Sequence, residues 1–416
     1  MISVRNRLQP LSGSRALLFV IITLLAAACS PKLQPVSVQP VKKEPEKPVA
    51  NNQVVKPVKP PGPKVSTISL LLPFGLDHLA PGSIYTYASL KKANIAVEYY
   101  EGFKLALDSL SGQGYNYKLK VFDTRDETAM AHSLGYNKEI RASDLVVGPV
   151  FPEGIKAFTA AFTSAGNPIV SPLSPGSPSK FKNQNLITIM PPLECHASAA
   201  AKYINDEVKP KKIFVLKSGF SEENDYIIPF KNTIDSLGKK RTKIIEITVI
   251  HGQLNALIPQ LSAAEKNVFI VPATDQHFLT ITLHALDTLN NRYPVTLYGH
   301  PGWINFSFLK ADLLQRLDTH ITSGDQVDYK AAKTIDFIQS YRNVYHDEPT
   351  EYAIKGFDEG MYFGQLLAAG ELNDPGKIDF AGLHNSFHLV KKPEVGWVNT
   401  HVDLLKYTNF ELKKVE

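Results

Sequence analysis

The strongest constraint on the fold is an alternation of short apolar runs with amphipathic segments, which begins near residue 65. TISLLLPF is followed by IAVEYYEGFKLALDSL and then by YKLKVFDT. Ala96, Tyr99 and Phe103 recur at helical spacing in the second segment, whereas Leu119 and Val121 alternate with lysines in the third. The order is therefore strand, helix, strand.

This order continues to about residue 300. The further runs that predict strands are DLVVGP, NPIVSP, NLITIM, KKIFVLKS, KIIEITVI, NVFIVPA and PVTLYGH, and helices are predicted near 153–165, 196–207 and 275–290. Such alternation is typical of α/β units around mainly parallel sheets. The length of 416 residues indicates two domains.

Residues 1–28 have the pattern of a secretory signal peptide, because three arginines precede the apolar run ALLFVIITLL, which then meets AAAC. The run is too short for a bilayer span, which needs roughly 20 apolar residues, so a transmembrane anchor is the weaker interpretation. The context resembles a bacterial lipobox, which implies lipidation of Cys29; a cleaved signal without lipid is the alternative. The non-acidic Ser30 implies sorting to the outer membrane, facing the periplasm.

The chain contains two cysteines, so a lipidated Cys29 leaves Cys195 without an intramolecular disulfide partner. The stability of an extracytoplasmic fold without a disulfide must come from its core. A hydrophobic content of 44 % is sufficient for such a core.

The segment 29–64 is predicted to be a tether that follows the lipidated cysteine. It is rich in Pro, Lys and Val and contains no aromatic residue, so it cannot build a core. Extended at about 3.1 Å per residue, it would reach on the order of 100 Å. A folded body could therefore stand well clear of its membrane.

The positive net charge of +5 belongs to the signal and the tether. Residues 65–416 hold 35 Lys/Arg and 38 Asp/Glu, a formal charge of −3. Non-specific nucleic-acid binding needs a basic face that displaces counterions. We therefore expect no nucleic-acid partner for the folded part.

Small and hydroxylated residues follow the predicted strands. In open parallel sheets, ligands bind beyond the carboxyl ends of the strands. The residues at these ends that we expect to contact a ligand are Phe151, Ser171, Ser174, Ser177, Ser218, Gly219, Thr274, Asp275, Gly299 and His300. Their chemistry indicates a binding cleft rather than a catalytic centre.

The sequence contains no nucleophile elbow, phosphate loop, dinucleotide fingerprint or spaced Cys/His metal set. His384 and His388 are four residues apart, as on one face of a helix, and Glu194, Cys195 and His196 are adjacent. Neither group has further ligands at suitable spacing, so we interpret both as ordinary surface or core residues. We expect no metal, no cofactor and no enzymatic activity.

A charged group, Asp123, Arg125, Asp126 and Glu127, follows the strand YKLKVFDT. It fits either a functional acid cluster or a capped helix start with local ion pairs. The second interpretation is favoured, because carboxylates at a helix start bind its free N–H groups.

Several segments resemble the type I periplasmic binding proteins, the class that includes the leucine/isoleucine/valine receptors of ABC importers. They are YYEGFKLALDSL, DLVVGPVFPEGIKAFTAAFTSAGNPIVSPLSP, NLITIMPPLECHASAAAKYINDEVKPKKIFVLKSG, TLYGHPGWIN and FIQSYRNVYHDEPTEYAIKGFDEGMYFGQLL. The resemblance implies two α/β lobes that are joined by three crossovers and close on a ligand by a hinge motion. One lobe would comprise 65–192 and 327–372, and the other 193–326 and 373–416.

In the amino-acid-binding members, groups after the third and fourth strands of the first lobe hold the ligand carboxylate, and an acid in the second lobe holds its ammonium. The resemblance assigns the carboxylate to Ser171, Ser174 and Ser177. The third-strand loop VFPEG lacks such hydroxyls, and its Glu153 would repel a carboxylate. LKSG also lacks the second-lobe acid, which leaves Asp275 as the candidate. These departures argue against a free α-amino acid.

The loop IVSPLSPGSPSK is interpreted as the rim of this cleft. Its prolines would stiffen it and keep the serine hydroxyls facing outward, and Ser177 with Pro178 fits the start of a short helix. A rigid connector without a ligand is the alternative.

Two functions fit these features. The favoured one is an extracytoplasmic solute-binding lipoprotein that captures a small polar, amino-acid-like or peptide-like ligand, with an ABC permease as its partner. The other is a non-transport envelope protein, similar to the outer-membrane lipoproteins that activate peptidoglycan synthases. The tether suits a partner in the cell-wall synthesis machinery.

Overall fold

The computed structural model describes residues 64–79, 86–162, 166–238 and 241–415. All of them belong to one of the chain's two units, Pro61–Glu416. The predicted signal peptide, Cys29 and the tether up to residue 63 lie outside the described residues. Within the described ranges, each helix is too short or too polar to cross a membrane.

The first sheet has seven strands. They are Ser66–Leu72 (β1), Tyr117–Asp123 (β2), Leu145–Val147 (β3), Ile169–Ser171 (β4), Leu186–Thr188 (β5), Leu389–Lys392 (β13) and Gly396–Asn399 (β14). Their order is β13-β14-β5-β4-β3-β1-β2, and every neighbouring pair is parallel except β13 with β14.

The second sheet also has seven strands. They are Lys212–Lys217 (β6), Lys243–Thr248 (β7), Asn267–Val271 (β8), Val295–Gly299 (β9), His320–Ser323 (β10), Asp403–Thr408 (β15) and Glu411–Lys414 (β16). Their order is β16-β15-β10-β9-β8-β6-β7, with antiparallel pairing only at the edge formed by β15 and β16. Phe380–Ala381 (β11) and Ser386–Phe387 (β12) form a separate hairpin.

Helices flank both sheets. They are Tyr87–Gly112 (α1), Thr128–Leu134 (α2), Lys138–Arg141 (α3), Pro152–Ala161 (α4), Leu193–Tyr203 (α5), Asn224–Gly238 (α6), Gln276–Asn290 (α7), Ala311–Arg316 (α8), Ala332–Tyr345 (α9) and Glu351–Ala369 (α10). Thr86 and Ser89 form a capping box at the start of α1, and Thr350 caps α10. The predicted α/β architecture with two mainly parallel sheets is confirmed.

Both sheets share one internal order, β2-β1-β3-β4-β5 in the first and β7-β6-β8-β9-β10 in the second. The strand order reverses between β1 and β3 in the first sheet and between β6 and β8 in the second. At such a reversal a crevice opens beyond the carboxyl ends of the two strands. The loops after β1 and β3, and those after β6 and β8, therefore flank the two crevices.

The chain passes between the sheets three times, after β5, after β10 and after β14. The fully buried Asn399 joins two of these crossovers. Its amide nitrogen donates to the carbonyl of Ile189 at 3.0 Å, and its oxygen accepts from the N–H groups of His388 and His401. One side chain thus ties the first crossover to the third.

The expectation that 373–416 lies in the second lobe is wrong for 389–399. Trp397 and Val398 of β14 pair in parallel with Ile187 and Thr188 of β5, which extends the first sheet. Only 403–414 joins the second sheet. A short apolar run does not specify which of two exposed sheet edges it joins, because both offer the same backbone groups.

The helix suggested for His384 and His388 is also absent, since the two histidines lie in the connections between β11, β12 and β13. His384 Nδ1 is 2.6 Å from the carboxylate of Asp358, inside the protein, and His388 Nδ1 is 2.8 Å from Asp379. Among the described residues, no group of three or more His, Cys, Asp or Glu could hold a metal.

The long helices α1 and α10 pack closely against each other through glycines. A Cβ atom on Gly356 would overlap the carbonyl oxygen of Tyr99, and one on Gly102 would overlap the carbonyl of Ala353. Neither overlapping atom is the end of a flexible side chain, so the helices would have to separate. Their crossing therefore requires small residues.

Replacing Gly356 with Ala should lower the free energy of unfolding by about 1–3 kcal/mol, because the added methyl forces the two helices apart. Urea unfolding followed by circular dichroism measures this change. Gly112→Ala is the matched control, since its Cβ would meet nothing within 4 Å at the end of α1. Equal stability of G356A and G112A would contradict the packing argument.

Candidate functional site

Two adjoining cavities lie where the strands of the second sheet end. We call the first the acidic cavity; it is about 480 Å³ in volume. It is lined by Leu193, Phe220, Glu222, Glu223, Asp225, Tyr226, Pro272, Thr274, Asp275 and His300. Among these described lining residues there are four carboxylates and no lysine or arginine, so the cavity favours positive charge.

The second, the interlobe cavity, is about 530 Å³ in volume and shares Leu193 and His300 with the first. Its remaining lining residues are Pro175, Met190, Pro191, His196, Pro301, Gly302, Ile304, Asn305, Thr322, Ser323, Gly324, Asp325 and Glu351. Pro175 follows β4 of the first sheet, whereas Asn305 follows β9 of the second. The cavity is therefore built by both lobes and by the first and second crossovers.

A single lysine offsets one of the two negative charges in the interlobe cavity. Asp325 and Glu351 both form ion pairs with Lys355, the latter at 3.1 Å. Lys355 lies on α10 and is 5 % exposed, so its charge belongs to this cluster rather than to solvent. A ligand here would meet mainly apolar surface and uncharged polar groups.

Two neutral histidines contribute those polar groups. His196 Nδ1 lies 3.1 Å from the hydroxyl of Thr322, and burial lowers the pKa of His196 to about 4. His300 Nδ1 accepts from the N–H of Gly302 at 3.0 Å, which leaves its proton on Nε2, and burial lowers its pKa to about 4 as well. Both rings are uncharged near pH 7.

The loop after β6 is held by one internal carboxylate. Glu223 accepts from the Ser218 N–H at 3.0 Å, from the Ser218 hydroxyl at 2.6 Å and from the Gly219 N–H at 3.4 Å. Gly219 has φ of +105°, a conformation that favours glycine. Ser218 and Gly219 thus face Glu223.

The serines of the Ser-Pro loop do not face the cavities. Ser171 and Ser174 are 1 % and 2 % exposed, and Ser174 Oγ accepts from the Gly176 N–H at 3.3 Å. Ser177 donates to Glu194 at 2.9 Å. The prediction of outward hydroxyls is therefore wrong for Ser171 and Ser174, because the loop turns inward and packs its side chains.

Phe151 also lies outside the two cavities. It is half-buried against the first-sheet core, as are Phe74 and Leu173, and the Lys92 Nζ atom is 5.4 Å from its ring centroid. The first-lobe side of the crevice is consequently apolar where the amino-acid-binding resemblance would require hydroxyl groups.

Among the residues predicted to contact a ligand, the structure brings Thr274, Asp275 and His300 together at the acidic cavity. Gly299 is buried beneath Trp303, whose ring a Cβ atom at this position would overlap. Asn305, which lines the interlobe cavity, was not among the residues predicted from the sequence to contact a ligand. Thr322 to Asp325, at the carboxyl end of β10, were also missed in the sequence, because this four-residue strand gives too weak a periodic signal.

The charged group at the end of β2 holds two loops through hydrogen bonds and does not cap a helix with a side chain. Asp123 accepts from the N–H groups of Gly75 at 3.1 Å, Leu76 at 2.8 Å and Arg125 at 2.8 Å. Glu127 precedes α2 without capping it through its side chain. The ion pairs of this group are not the expected local ones but reach distant segments: Asp126 pairs with Lys92, and Arg125 lies 3.9 Å from Asp77.

No family model and no curated protein sequence matches the chain. Solved structures do match it. An ABC transporter substrate-binding protein from Desulfitobacterium hafniense, in complex with Leu, has 18 % identity and a TM-score of 0.54 over 85 % of this chain and all of its own. A putative branched-chain amino acid ABC transporter from Rhodospirillum rubrum has 13 % identity and a TM-score of 0.60 over the same shares. The chain has the two-lobed fold of the type I periplasmic binding proteins.

A third match is a regulatory protein rather than a transport protein. The C-domain of LpoA from Haemophilus influenzae, a regulator of PBP1A, has 13 % identity and a TM-score of 0.56 over 84 % of this chain and all of the domain. These three neighbours are described as transport-associated proteins or as a regulator rather than as enzymes. At such identities the similarity establishes the fold alone.

The cavity histidines predict an acid-sensitive fold. His196 and His300 have pKa values near 4 when folded, against about 6.5 in an unfolded chain, so unfolding takes up protons between these values. The stability they contribute is complete above pH 6.5 and is lost as the pH falls towards 4. Each histidine lowers the free energy of unfolding by up to about 1.4 kcal/mol per pH unit in this range.

Urea unfolding of wild type and His196→Gln at several pH values measures this. Because glutamine does not titrate, the stability difference between the two proteins should change across pH 6.5 to 4. Asn291→Gln, at an exposed position without a titratable group, is the control and should give a constant difference. Parallel curves for wild type and H196Q would show that His196 is not buried in its neutral form.

Proposed function

We propose that this chain is an extracytoplasmic solute-binding protein that captures a small ligand in the interlobe cavity. The observation that carries this proposal is the cavity's construction from loops of both lobes, next to the crossovers that join them. A ligand that contacts both sides stabilises the closed arrangement of a hinged pair of lobes. Binding and closure are then one event.

The cavity favours a ligand with an apolar body and uncharged hydrogen-bonding groups. Its volume of about 530 Å³ suits an amino-acid-like or short peptide-like molecule. Met190, Leu193 and Ile304 offer apolar contact, whereas His196 and His300 offer neutral polar groups. The adjoining acidic cavity would take any basic group of the same ligand.

The structural neighbours support a role in solute capture. One is described in complex with Leu, and another as a branched-chain amino acid ABC transporter. We therefore propose an ABC permease as the partner that receives the solute. This transfer of role rests on the shared fold and on the cavity.

A second function is favoured by a different observation. The serine hydroxyls that would hold an amino-acid carboxylate are turned away, and the donors of the β6 loop are already occupied by Glu223. These features fit an envelope protein that uses the fold for contact with a protein partner, and LpoA, a regulator of PBP1A, has such a domain. The predicted tether would let it reach cell-wall synthesis machinery.

The solute-binding proposal predicts a thermal shift. A cognate amino acid, peptide or muropeptide should raise the melting temperature of the wild-type protein, because it binds only the folded state. Asn305→Trp should abolish the shift, since the indole would fill the interlobe cavity. Asn291→Trp is the control, an exposed asparagine of the same lobe outside both cavities.

A panel without any shift, together with a specific envelope protein recovered by crosslinking, would overturn solute binding in favour of the second function. A shift that persists unchanged in N305W would instead move the binding site away from the interlobe cavity.

We also propose that the protein is a lipoprotein anchored through Cys29, on the outer membrane and facing the periplasm. Cys29→Ser should move the protein from the detergent phase to the aqueous phase on Triton X-114 partition, because the acyl chains that supply about 0.8 kcal/mol per buried CH₂ are absent. Cys195→Ser is the matched control, as the other of the chain's two cysteines. Equal partition of C29S and wild type would contradict lipidation.

A further inference from the structure

The loop after β6 has the geometry of a carboxylate-binding site. Two backbone N–H groups, from Ser218 and Gly219, and one hydroxyl, from Ser218, converge on the two oxygens of Glu223 at 2.6 to 3.4 Å. Successive N–H groups directed at one point form an anion-binding concavity. Here the anion is supplied by the protein's own chain, five residues further on.

Glu223 is firmly enclosed in this site. Its residue is 6 % exposed, and all its hydrogen-bond donors come from Ser218 and Gly219. It also lines the acidic cavity, next to Asp225 and Asp275, so the carboxylate lies between the donors and the open space. Among the described lining residues, no lysine or arginine offers it an ion pair instead.

The first lobe repeats this arrangement at the corresponding strand. β1 and β6 hold the same place in the two sheets, and Asp123 accepts from the N–H groups of Gly75 and Leu76 after β1. The donors of the loops after β1 and β6 are therefore both occupied by carboxylates of the protein itself. A carboxylate brought by a ligand would have to displace one of them.

We infer that Glu223 is a specificity-determining residue: it fills a carboxylate-binding loop at the end of β6 and so excludes anionic groups of a ligand from the second-lobe side of the cleft. This inference rests on the proposed binding function of that cleft. The excluded class is small carboxylates. Removal of the Glu223 side chain leaves the donors of Ser218 and Gly219 open to the acidic cavity.

The test is an acetate titration of the full chain carrying Glu223→Ala. Acetate should refill the vacated loop, so the melting temperature of E223A should rise saturably with acetate, measured against chloride at equal pH and ionic strength. Acetate should bind E223A at least tenfold more tightly than it binds wild type.

Two controls isolate the site. Glu223→Gln removes the charge but keeps the side-chain volume, so the loop stays blocked and acetate should have no saturable effect. Glu222→Ala removes the same charge from the neighbouring residue of the same cavity, which contacts Ser221 rather than the β6 loop, and should also give no effect.

If E223A does not fold, Glu223→Ser receives the same titration. The inference is wrong if neither variant responds to acetate, or if wild type, E223Q or E222A responds equally. The titration uses acetate alone, so it is independent of the solute panel that tests the proposed function. If no solute of the panel binds but E223A responds to acetate, the carboxylate-binding loop is confirmed and only its role in ligand selection is lost.

Discussion

The backbone N–H groups of the loops that follow buried strands need hydrogen-bond acceptors, and much of the structure depends on how these acceptors are supplied. Strand pairing satisfies the N–H groups within each sheet, but the loops at the carboxyl ends lie beyond the ladder. Asp123 serves the loop after β1, Glu223 the loop after β6, and Asp358 the N–H groups of Leu383 and His384. Each carboxylate fixes a loop that would otherwise have to be held by water or ligand. Asp123 and Glu223 thus hold the loops that flank the two crevices, and Asp358 holds the turn between β11 and β12.

The same requirement shapes the hinge. Asn399 has two amide protons and two acceptor sites, and all four are used, towards the carbonyls of Ile189 and Ser386 and the N–H groups of His388 and His401. A charged side chain in this fully buried position would carry a large desolvation cost, whereas a neutral amide does not. The first and third crossovers are therefore joined directly by the hydrogen bonds of one side chain.

The sequence predicted the fold much better than the site. Buried parallel strands are continuous apolar runs, such as TISLLLPF and NVFIVPA, and the helices between them have a clear period, so both sheets could be anticipated. The edge strands β13 and β14 could not be assigned, because edge choice depends on long-range packing. The orientation of the Ser171 and Ser174 side chains could not be predicted from the sequence either. A hydroxyl in a Pro-rich loop has the same local sequence whether it turns towards a cleft or into the core.

The charge distribution across the two cavities limits what can bind. In the interlobe cavity Lys355 offsets one of the two negative charges of Asp325 and Glu351, and the histidines are neutral, so an apolar or uncharged group meets only one residual negative charge. In the acidic cavity the carboxylates lack such compensation from the lining residues, so an anion would add to their repulsion and a cation would relieve it. The two cavities share Leu193 and His300, and one ligand can span both only if its basic and apolar ends are separated. A zwitterion with adjacent charges does not meet that condition, because its carboxylate would enter the acidic cavity beside its ammonium, so a free α-amino acid would have to bind within the interlobe cavity alone.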